Sequence, residues 1–227
     1  MTEIAISLLD VEEEDAVSYF YNVETAKINY FHLDVNDGKF VDNNNIKKMK
    51  DFALKINTVC MTPREVHLMT ENPREYFDYF IDQGADRIIF HLEACKDKEE
   101  ILNNIKYLNE NGIKAGIAIS PDTSIEKVYD YLPYIHMVLL MSVIPGRGGQ
   151  KFIPEVLRKI EKLKNYCVDN DFDIDIEVDG GINNITCRDA VSSGATILVA
   201  GKYILNSDNY AEAVRSLREE YIEEEKE

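Results

Sequence analysis

Eight short apolar segments recur along the 227-residue chain, and longer segments with helix signals separate them. Their lengths and aliphatic composition are typical of strands buried on both faces of a parallel sheet. Because consecutive parallel strands need a crossover between them, this alternation predicts an α/β fold with a helix after each strand. The predicted strands span residues 4–8, 30–35, 65–69, 87–92, 114–119, 137–143, 175–179 and 196–200.

The segments between the predicted strands contain residues that begin and end helices. Asn72 suits the N-cap of one helix, Pro73 its first helical position and Gly84 its C-cap. A second helix is predicted to stop at Gly112 in the same way. The segment 153–166 repeats its apolar residues at helical spacing, which predicts a third.

The number of strand and helix units predicts the architecture. Eight such units in a chain of this length fit a single-domain (β/α)8 TIM barrel, whose usual size is about 250 residues. An open doubly wound sheet is the alternative, but it requires a GxGxxG motif after the first strand, and residues 7–15 contain none. No linker interrupts the chain, so one domain is expected over 1–227, ending in a helix whose last part, 219–227, is expected to be a frayed acidic tail.

Composition excludes several classes of function. The formal net charge of −17 argues against partners such as nucleic acids or anionic membranes. The four cysteines are scattered without a CxxC pair, which favours reduced thiols over disulfides or a cysteine-rich zinc site. No apolar run approaches a membrane span and no leader is recognisable, so a soluble cytoplasmic protein is expected.

Ionisable residues stand at three predicted strand ends, where barrel enzymes place their active sites. His32 and Asp34 are two apart on strand 2 and share one face, His67 lies on strand 3, and Asp179 ends strand 7. Each alone is typical of a core or turn residue, but two imidazoles and two carboxylates at one barrel mouth favour a divalent metal site. Zinc would bind these atoms at about 2.0–2.2 Å, and iron or manganese accepts the same set.

Other polar residues near the strand ends are interpreted as structural. His91 and His136 have no acidic companions of the kind that flank His32, so neither is assigned to the site. Asp37 and Gly38 form a dipeptide typical of an ordinary turn, here ending strand 2.

Glycine-rich loops follow three successive predicted strands. They read PGRGGQ at 145–150, DGG at 179–181 and AGK at 200–202. Barrels often bind phosphate with backbone N–H groups in the loops after strands 7 and 8, and glycine allows the close approach that this requires. The three loops together therefore predict a phosphorylated substrate.

The order of these motifs resembles the ribulose-phosphate 3-epimerase family, a family of metal-dependent (β/α)8 barrels, over nearly the whole chain. The segments that carry the resemblance most specifically are FHLDVNDGKFV at 31–41, MSVIPGRGGQKFIP at 141–154 and EVDGGIN at 177–183.

The resemblance implies a set of site residues. One divalent ion (Zn, Fe, Mn or Co) would be held by His32, Asp34, His67 and Asp179, with no organic cofactor. Asp34 and Asp179 would be the catalytic acid/base pair. Substrate contacts are expected from Ser7, Asn36, Met69 and Met141, and phosphate contacts from Gly146, Gly148, Gly149, Gly180, Gly181, Gly201 and Lys202.

The resemblance also implies an activity. The family inverts C3 of a ketose phosphate, converting D-ribulose 5-phosphate into D-xylulose 5-phosphate. Two carboxylates would move the proton on opposite faces while a metal stabilises the ene-diolate. The expected partner is a small sugar phosphate, and a homo-oligomer, dimer or hexamer, is expected by family resemblance.

Departures from the family pattern keep other functions open. Asn36 stands where methionine is usual, Ile144 and Arg147 replace an asparagine and an aromatic residue, and Lys202 replaces a serine. A related sugar such as allulose 6-phosphate, or a non-catalytic sugar-phosphate-binding role, is therefore an alternative. A decarboxylase of the orotidine phosphate type would need a D-x-K-x-x-D strand motif, and HLDVNDG at 32–38 has no lysine within it.

Overall fold

Eight parallel strands close into a barrel in chain order in the computed structural model, which describes residues 2–218. All eight predicted strands are confirmed with small shifts at their ends, and the fold is a single-domain (β/α)8 barrel. The expected tail at 219–227 lies outside the described residues. The strands are β1 Glu3–Ser7, β2 Tyr30–Asn36, β3 Arg64–Met69, β4 Arg87–His91, β5 Lys114–Ile119, β6 Met137–Met141, β7 Asp175–Asp179 and β8 Ile197–Ala200.

Helices pack around the barrel, and one crossover differs from the others. Between β5 and β6 the chain forms 3₁₀ turns over Ile125–Tyr134, a segment that contains Pro133, whose ring removes a backbone donor. None of the described helices is long and apolar enough to cross a membrane. The helices are α1 Ala16–Thr25, α2 Ile46–Val59, α3 Arg74–Asp82, α4 Lys98–Glu110, α5 Val156–Asp169, α6 Thr186–Ser192, α7 Lys202–Leu205 and α8 Tyr210–Arg218.

The predicted helix stops are confirmed, and one predicted start is displaced. Gly84 and Gly112 follow α3 and α4 with φ of +74° and +75°, the left-handed conformation that glycine adopts without a Cβ penalty. Pro73, rather than Asn72, occupies the cap of α3, so the helix begins one residue later than expected. The reason is that the backbone carbonyl of Asn72, not its side chain, accepts the first-turn hydrogen bond from Glu75 N.

Alternation along the strands separates two layers of packing. Outward residues such as Phe31 pack against helices, where the Phe20 ring contacts Phe31 and Phe52 edge-on at 5.7 and 5.2 Å. Inward residues on one side of the barrel are apolar, among them Ile89 and Leu139. The other side is lined with buried ionisable groups from β2, β3 and β7, which is where the candidate site forms.

The turn predicted after β2 is confirmed and directs the chain away from the barrel mouth. Asp37 Oδ1 accepts hydrogen bonds from the backbone N–H groups of Lys39 and Phe40, both at 2.8 Å. Gly38 has φ of +76°. Asp37 Oδ2 also accepts from Glu71 N at 2.7 Å and thereby ties the β2 loop to the β3 loop.

Candidate active site

The four predicted metal ligands come together at the mouth of the barrel. The β2–β3 register places Asp34 directly beside His67. Asp34 Oδ1 lies 3.3 Å from His32 Nε2 and 3.2 Å from His67 Nδ1, and Asp179 Oδ2 lies 3.9 and 3.7 Å from the same two nitrogens. One donor atom from each residue lies within 4.8 Å of all the others, so the cluster is able to hold a metal ion.

The donor set fits a divalent cation. His32, Asp34 and His67 are almost completely buried, and the Asp179 side chain is 14% exposed on the cavity side. His32 Nε2 points into the cluster with no hydrogen-bond partner among the described residues, which is costly for a buried polar atom unless it has another ligand. Two imidazole nitrogens and two carboxylates are ligands that zinc, iron and manganese accept.

The two aspartates of the cluster have opposite electrostatic environments. Burial disfavours ionisation of Asp34, but the charge and hydrogen bonds of His32 and the hydrogen bond of His67 hold the pKa of Asp34 well below its usual range. Burial and the neighbouring charge of Asp34 raise the pKa of Asp179 to about 7. One carboxyl group therefore takes the basic role and the other the acidic role at neutral pH.

A second layer of ionisable groups lies beneath the cluster. His32 Nδ1 lies 2.8 Å from Glu65 Oε1 and 3.5 Å from Glu177 Oε1. Both carboxyl groups are fully buried; burial and the charge of Glu65 raise the pKa of Glu177 well above its usual range. Arg87 is the cation of this layer, with Nη1 3.9 Å from Glu65 Oε2. These partners fix the orientation of the His32 ring, as acidic groups behind metal-binding histidines commonly do.

The structural interpretation of His91 rested on its having no acidic companion, and that expectation is wrong. His91 Nε2 lies 2.9 Å from His67 Nε2, and His91 Nδ1 lies 3.1 Å from Glu93 Oε2. The 3₁₀ turn Leu92–Ala94 after β4 directs Glu93 back toward the strand end. The available signal was the strand-end position of His91, which matches that of His67. His136, by contrast, is exposed and lies outside the cluster.

A cavity of about 680 Å³ opens at the barrel mouth and borders both aspartates. Ser7 Oγ donates a 2.7 Å hydrogen bond to Asp34 Oδ2 and lies at the cavity wall. Met69 and Met141 form apolar parts of the same wall. The predicted phosphate-binding residues Gly146, Gly148, Gly149, Gly180, Gly181, Gly201 and Lys202 all line this cavity.

Close backbone contacts explain the glycines at one end of the cavity. Gly181 has φ of +67°, and a Cβ there would lie 2.5 Å from the backbone nitrogen of Phe152. Gly148 packs against Asp10, whose Oδ1 lies 3.8 Å from Lys202 Nζ. An ammonium group and a backbone stripped of side chains therefore face the same end of the cavity, an arrangement suited to an oxyanion.

Asn36 lies deeper than the predicted substrate contacts. It is fully buried and does not border the cavity; its Nδ2 lies 3.5 Å from the carbonyl oxygen of Gly146. Its backbone N–H donates to Asn45 Oδ1 at 2.8 Å. Any effect of Asn36 on the substrate would therefore act through the loop that contains Gly146.

Metal binding to this cluster has a direct test with a matched control. We expect the protein to hold about one divalent ion per chain and the ion to raise its melting temperature, because binding to the folded state alone stabilises it. His67→Ala should abolish both effects, whereas His136→Ala should retain them. Elemental analysis and thermal melts with and without added zinc measure this. Equal metal content in the two variants would contradict the assignment.

Fold and site together define a class: a (β/α)8-barrel enzyme with a metal-binding cluster and an acid/base carboxyl pair at the C-terminal mouth. The sequence model of the Ribulose-phosphate 3 epimerase family matches residues 3–205. The chain belongs to this family, as its motifs predicted.

One relative illustrates the similarity within the family. The ribulose-phosphate 3-epimerase of Methanocaldococcus jannaschii is 38% identical over 223 residues, covering 98% of this chain and 92% of the relative. The relatives are named as epimerases, so the chain is an enzyme of the isomerase class.

Solved structures of more distant proteins share the fold. A crystal structure of 3-hexulose-6-phosphate synthase has a TM-score of 0.70 at 15% identity, covering 96% of this chain and 98% of the other. KGPDC from Streptococcus mutans, in a complex with ribose 5-phosphate, has a TM-score of 0.67 at 13% identity, covering 96% and 95% of the two chains.

Proposed function

We propose that the protein inverts C3 of a ketose phosphate and that its substrate pair is D-ribulose 5-phosphate and D-xylulose 5-phosphate. The observation that carries the proposal is the pairing of Asp34 and Asp179, whose pKa values are displaced in opposite directions at one cavity. An epimerisation needs one group to take a proton and another to return one. Membership of the epimerase family supports the same chemistry.

The proton transfer follows from the two carboxyl groups. The hydrogen on C3 is acidified by the neighbouring C2 carbonyl, and ionised Asp34 accepts it. Asp179, whose pKa is about 7, carries a proton that it returns to the opposite face of C3. In the reverse reaction the two residues exchange roles. A divalent ion held by His32, Asp34, His67 and Asp179 would supply Lewis-acid stabilisation of the negative charge that develops on the substrate.

Other residues orient the substrate and the base. Ser7 holds Asp34 through its 2.7 Å hydrogen bond, which leaves Asp34 Oδ1 for the cluster. Met69 and Met141 exclude water from the wall next to the carboxyl pair. The phosphate is assigned to the glycine-lined end, where backbone N–H groups of the β7 and β8 loops and the ammonium of Lys202 would bind it.

Solvent exchange tests the reaction and the sugar together. Incubation of the metal-loaded protein with D-ribulose 5-phosphate in heavy water should give D-xylulose 5-phosphate with deuterium at C3, and deuterium should also enter the remaining substrate. Nuclear magnetic resonance of the sugar carbons measures both. The matched control is the same incubation with chelator present.

The outcomes separate the alternatives. Exchange with a six-carbon ketose phosphate such as allulose 6-phosphate, and none with the five-carbon sugar, would move the assignment to that substrate. Binding of both sugars without exchange of either would contradict catalysis and favour a sugar-phosphate-binding role.

A further inference from the structure

A stacked pair of histidines extends from the metal-binding cluster into the barrel wall. The ring centroids of His67 and His91 are 5.0 Å apart with an interplanar angle of 25°, and their Nε2 atoms are 2.9 Å apart. Both side chains are fully buried, so water cannot replace this contact. Two ring nitrogens form a hydrogen bond only when one of them carries a hydrogen and the other does not.

The cluster decides which of the two nitrogens donates. His67 Nδ1 is the atom that faces Asp34 and Asp179, at 3.2 and 3.7 Å. A cation there requires the Nδ1 lone pair, so the single hydrogen of the neutral ring must lie on Nε2. His91 Nε2 must then accept, and the hydrogen of His91 must lie on Nδ1.

Glu93 favours that tautomer of His91. Its Oε2 lies 3.1 Å from His91 Nδ1. Burial opposes ionisation, but hydrogen bonds from His91, Thr123 and Ser120 N together with the His91 charge lower the pKa of Glu93 to about 2. An ionised carboxylate only accepts hydrogen bonds, so a hydrogen on His91 Nδ1 is preferred over one on Nε2.

The surroundings hold Glu93 and His91 in place. Glu93 Oε1 accepts from Ser120 N at 2.8 Å and from the hydroxyl of Thr123, both in the loop after β5. The Phe40 ring packs 4.8 Å from that of His91, on the chain that follows β2. Neither ring nitrogen of His91 faces solvent, so its two partners define its hydrogen-bonding state.

We propose that His91 and Glu93 are positioning residues of the metal centre: Glu93 sets the tautomer of His91, and His91 sets the tautomer of His67 that leaves Nδ1 free for the cation. This inference rests on the metal centre of the proposed function. It assigns roles to two residues that do not contact the metal or the substrate.

Zinc affinity and histidine nitrogen spectra test the proposal. Replacing a partner behind a metal ligand typically weakens metal binding by about 10–100-fold, and we expect that loss in Glu93→Gln, whose amide can donate as well as accept. Chelator competition measures the affinity. Thr123→Val is the matched control, because it removes a hydrogen bond to the other oxygen of Glu93 and should leave zinc affinity near the wild-type value.

The spectra report the tautomers directly, which a merely structural role would not change. The chain has four histidines, so long-range ¹H–¹⁵N correlations of the zinc-loaded protein are readily assigned. We expect the hydrogen on Nε2 of His67 and on Nδ1 of His91, with a mixed state of His91 in Glu93→Gln.

Each contrary result has a distinct meaning. A hydrogen on His91 Nε2 in the zinc-loaded wild type, or unchanged zinc affinity in Glu93→Gln, would overturn the positioning role alone. A wild-type protein that binds no zinc, iron, manganese or cobalt would overturn the metal centre and this inference with it.

Discussion

Asp34→Asn and Asp179→Asn are each expected to lower kcat for epimerisation by about 10²–10⁴-fold, the usual contribution of a positioned general acid or base. An amide retains the size of the carboxyl group and an oxygen that can face the cluster, but it cannot accept or return the C3 proton. The effect should fall on kcat rather than on KM, since neither residue is assigned to the phosphate end of the cavity.

Solvent exchange distinguishes the two aspartates by the face of C3 that each serves. If Asp34 removes the proton of one epimer and Asp179 that of the other, each variant should still exchange the C3 hydrogen of one sugar and fail with the other. The variant at the second position should show the reverse preference. Equal loss of exchange from both epimers in both variants, with metal content unchanged, would contradict the division of roles.

Asp175→Asn is the control on the same strand. Its carboxyl group lies at the opposite end of β7 from Asp179, 3.0 Å from Arg87, and does not border the cavity. Its epimerase rate should stay near that of the wild type. Metal content is measured in every variant, because Asp34 and Asp179 are also ligand candidates and loss of the ion would lower the rate of both directions together.

The strand pattern and the ligand positions were predictable from the sequence for a common physical reason. A parallel barrel buries both faces of each strand, so its strands appear as short apolar runs, and polar residues inside them stand out. His32, Asp34, His67 and Asp179 stood out in this way. Parallel strands in a closed barrel bring their carboxyl ends to one mouth, and the structure brings these four residues together there.

The groups behind the ligands were not predictable in the same way. Glu93 reaches His91 only because a 3₁₀ turn redirects the chain after β4. Glu65 and Glu177 come from β3 and β7 and share His32 across the barrel interior, a proximity that depends on barrel closure and strand stagger. The burial of Asn36 below the Gly146 loop likewise depends on where that loop returns over β2.

Arg87→Met is expected to destabilise the metal-free protein by about 3–5 kcal/mol at neutral pH, the usual cost of removing one partner from a buried ion pair. Arg87 is 4% exposed. Its Nη2 lies 3.0 Å from Asp175 Oδ2 and donates to Tyr30 Oη at 2.7 Å, and its guanidinium carbon lies 4.1 Å from the centre of the Tyr30 ring. Methionine would fill much of the volume but would leave the fully buried Glu65 without its nearby cation.

The loss should depend on pH in a defined direction. Burial opposes ionisation of Glu65, but hydrogen bonds with His32 and Glu177 and the charges of His32 and Arg87 lower its pKa below the usual value. A group whose pKa is lowered on folding stabilises the protein above its unfolded pKa, and that contribution is lost as the pH falls through the folded value. The difference between wild type and Arg87→Met should therefore shrink toward acidic pH.

Urea unfolding at several pH values measures this, with Arg74→Met as the control. Arg74 pairs with Asp78 at 3.3 Å on the protein surface, and loss of an exposed pair should cost only about 0–1 kcal/mol. Adding Glu65→Gln to Arg87→Met should recover part of the lost stability, because the uncompensated buried charge is then removed. If Arg87→Met cost no more than Arg74→Met, the charged layer beneath the cluster would not depend on Arg87 for its neutralisation.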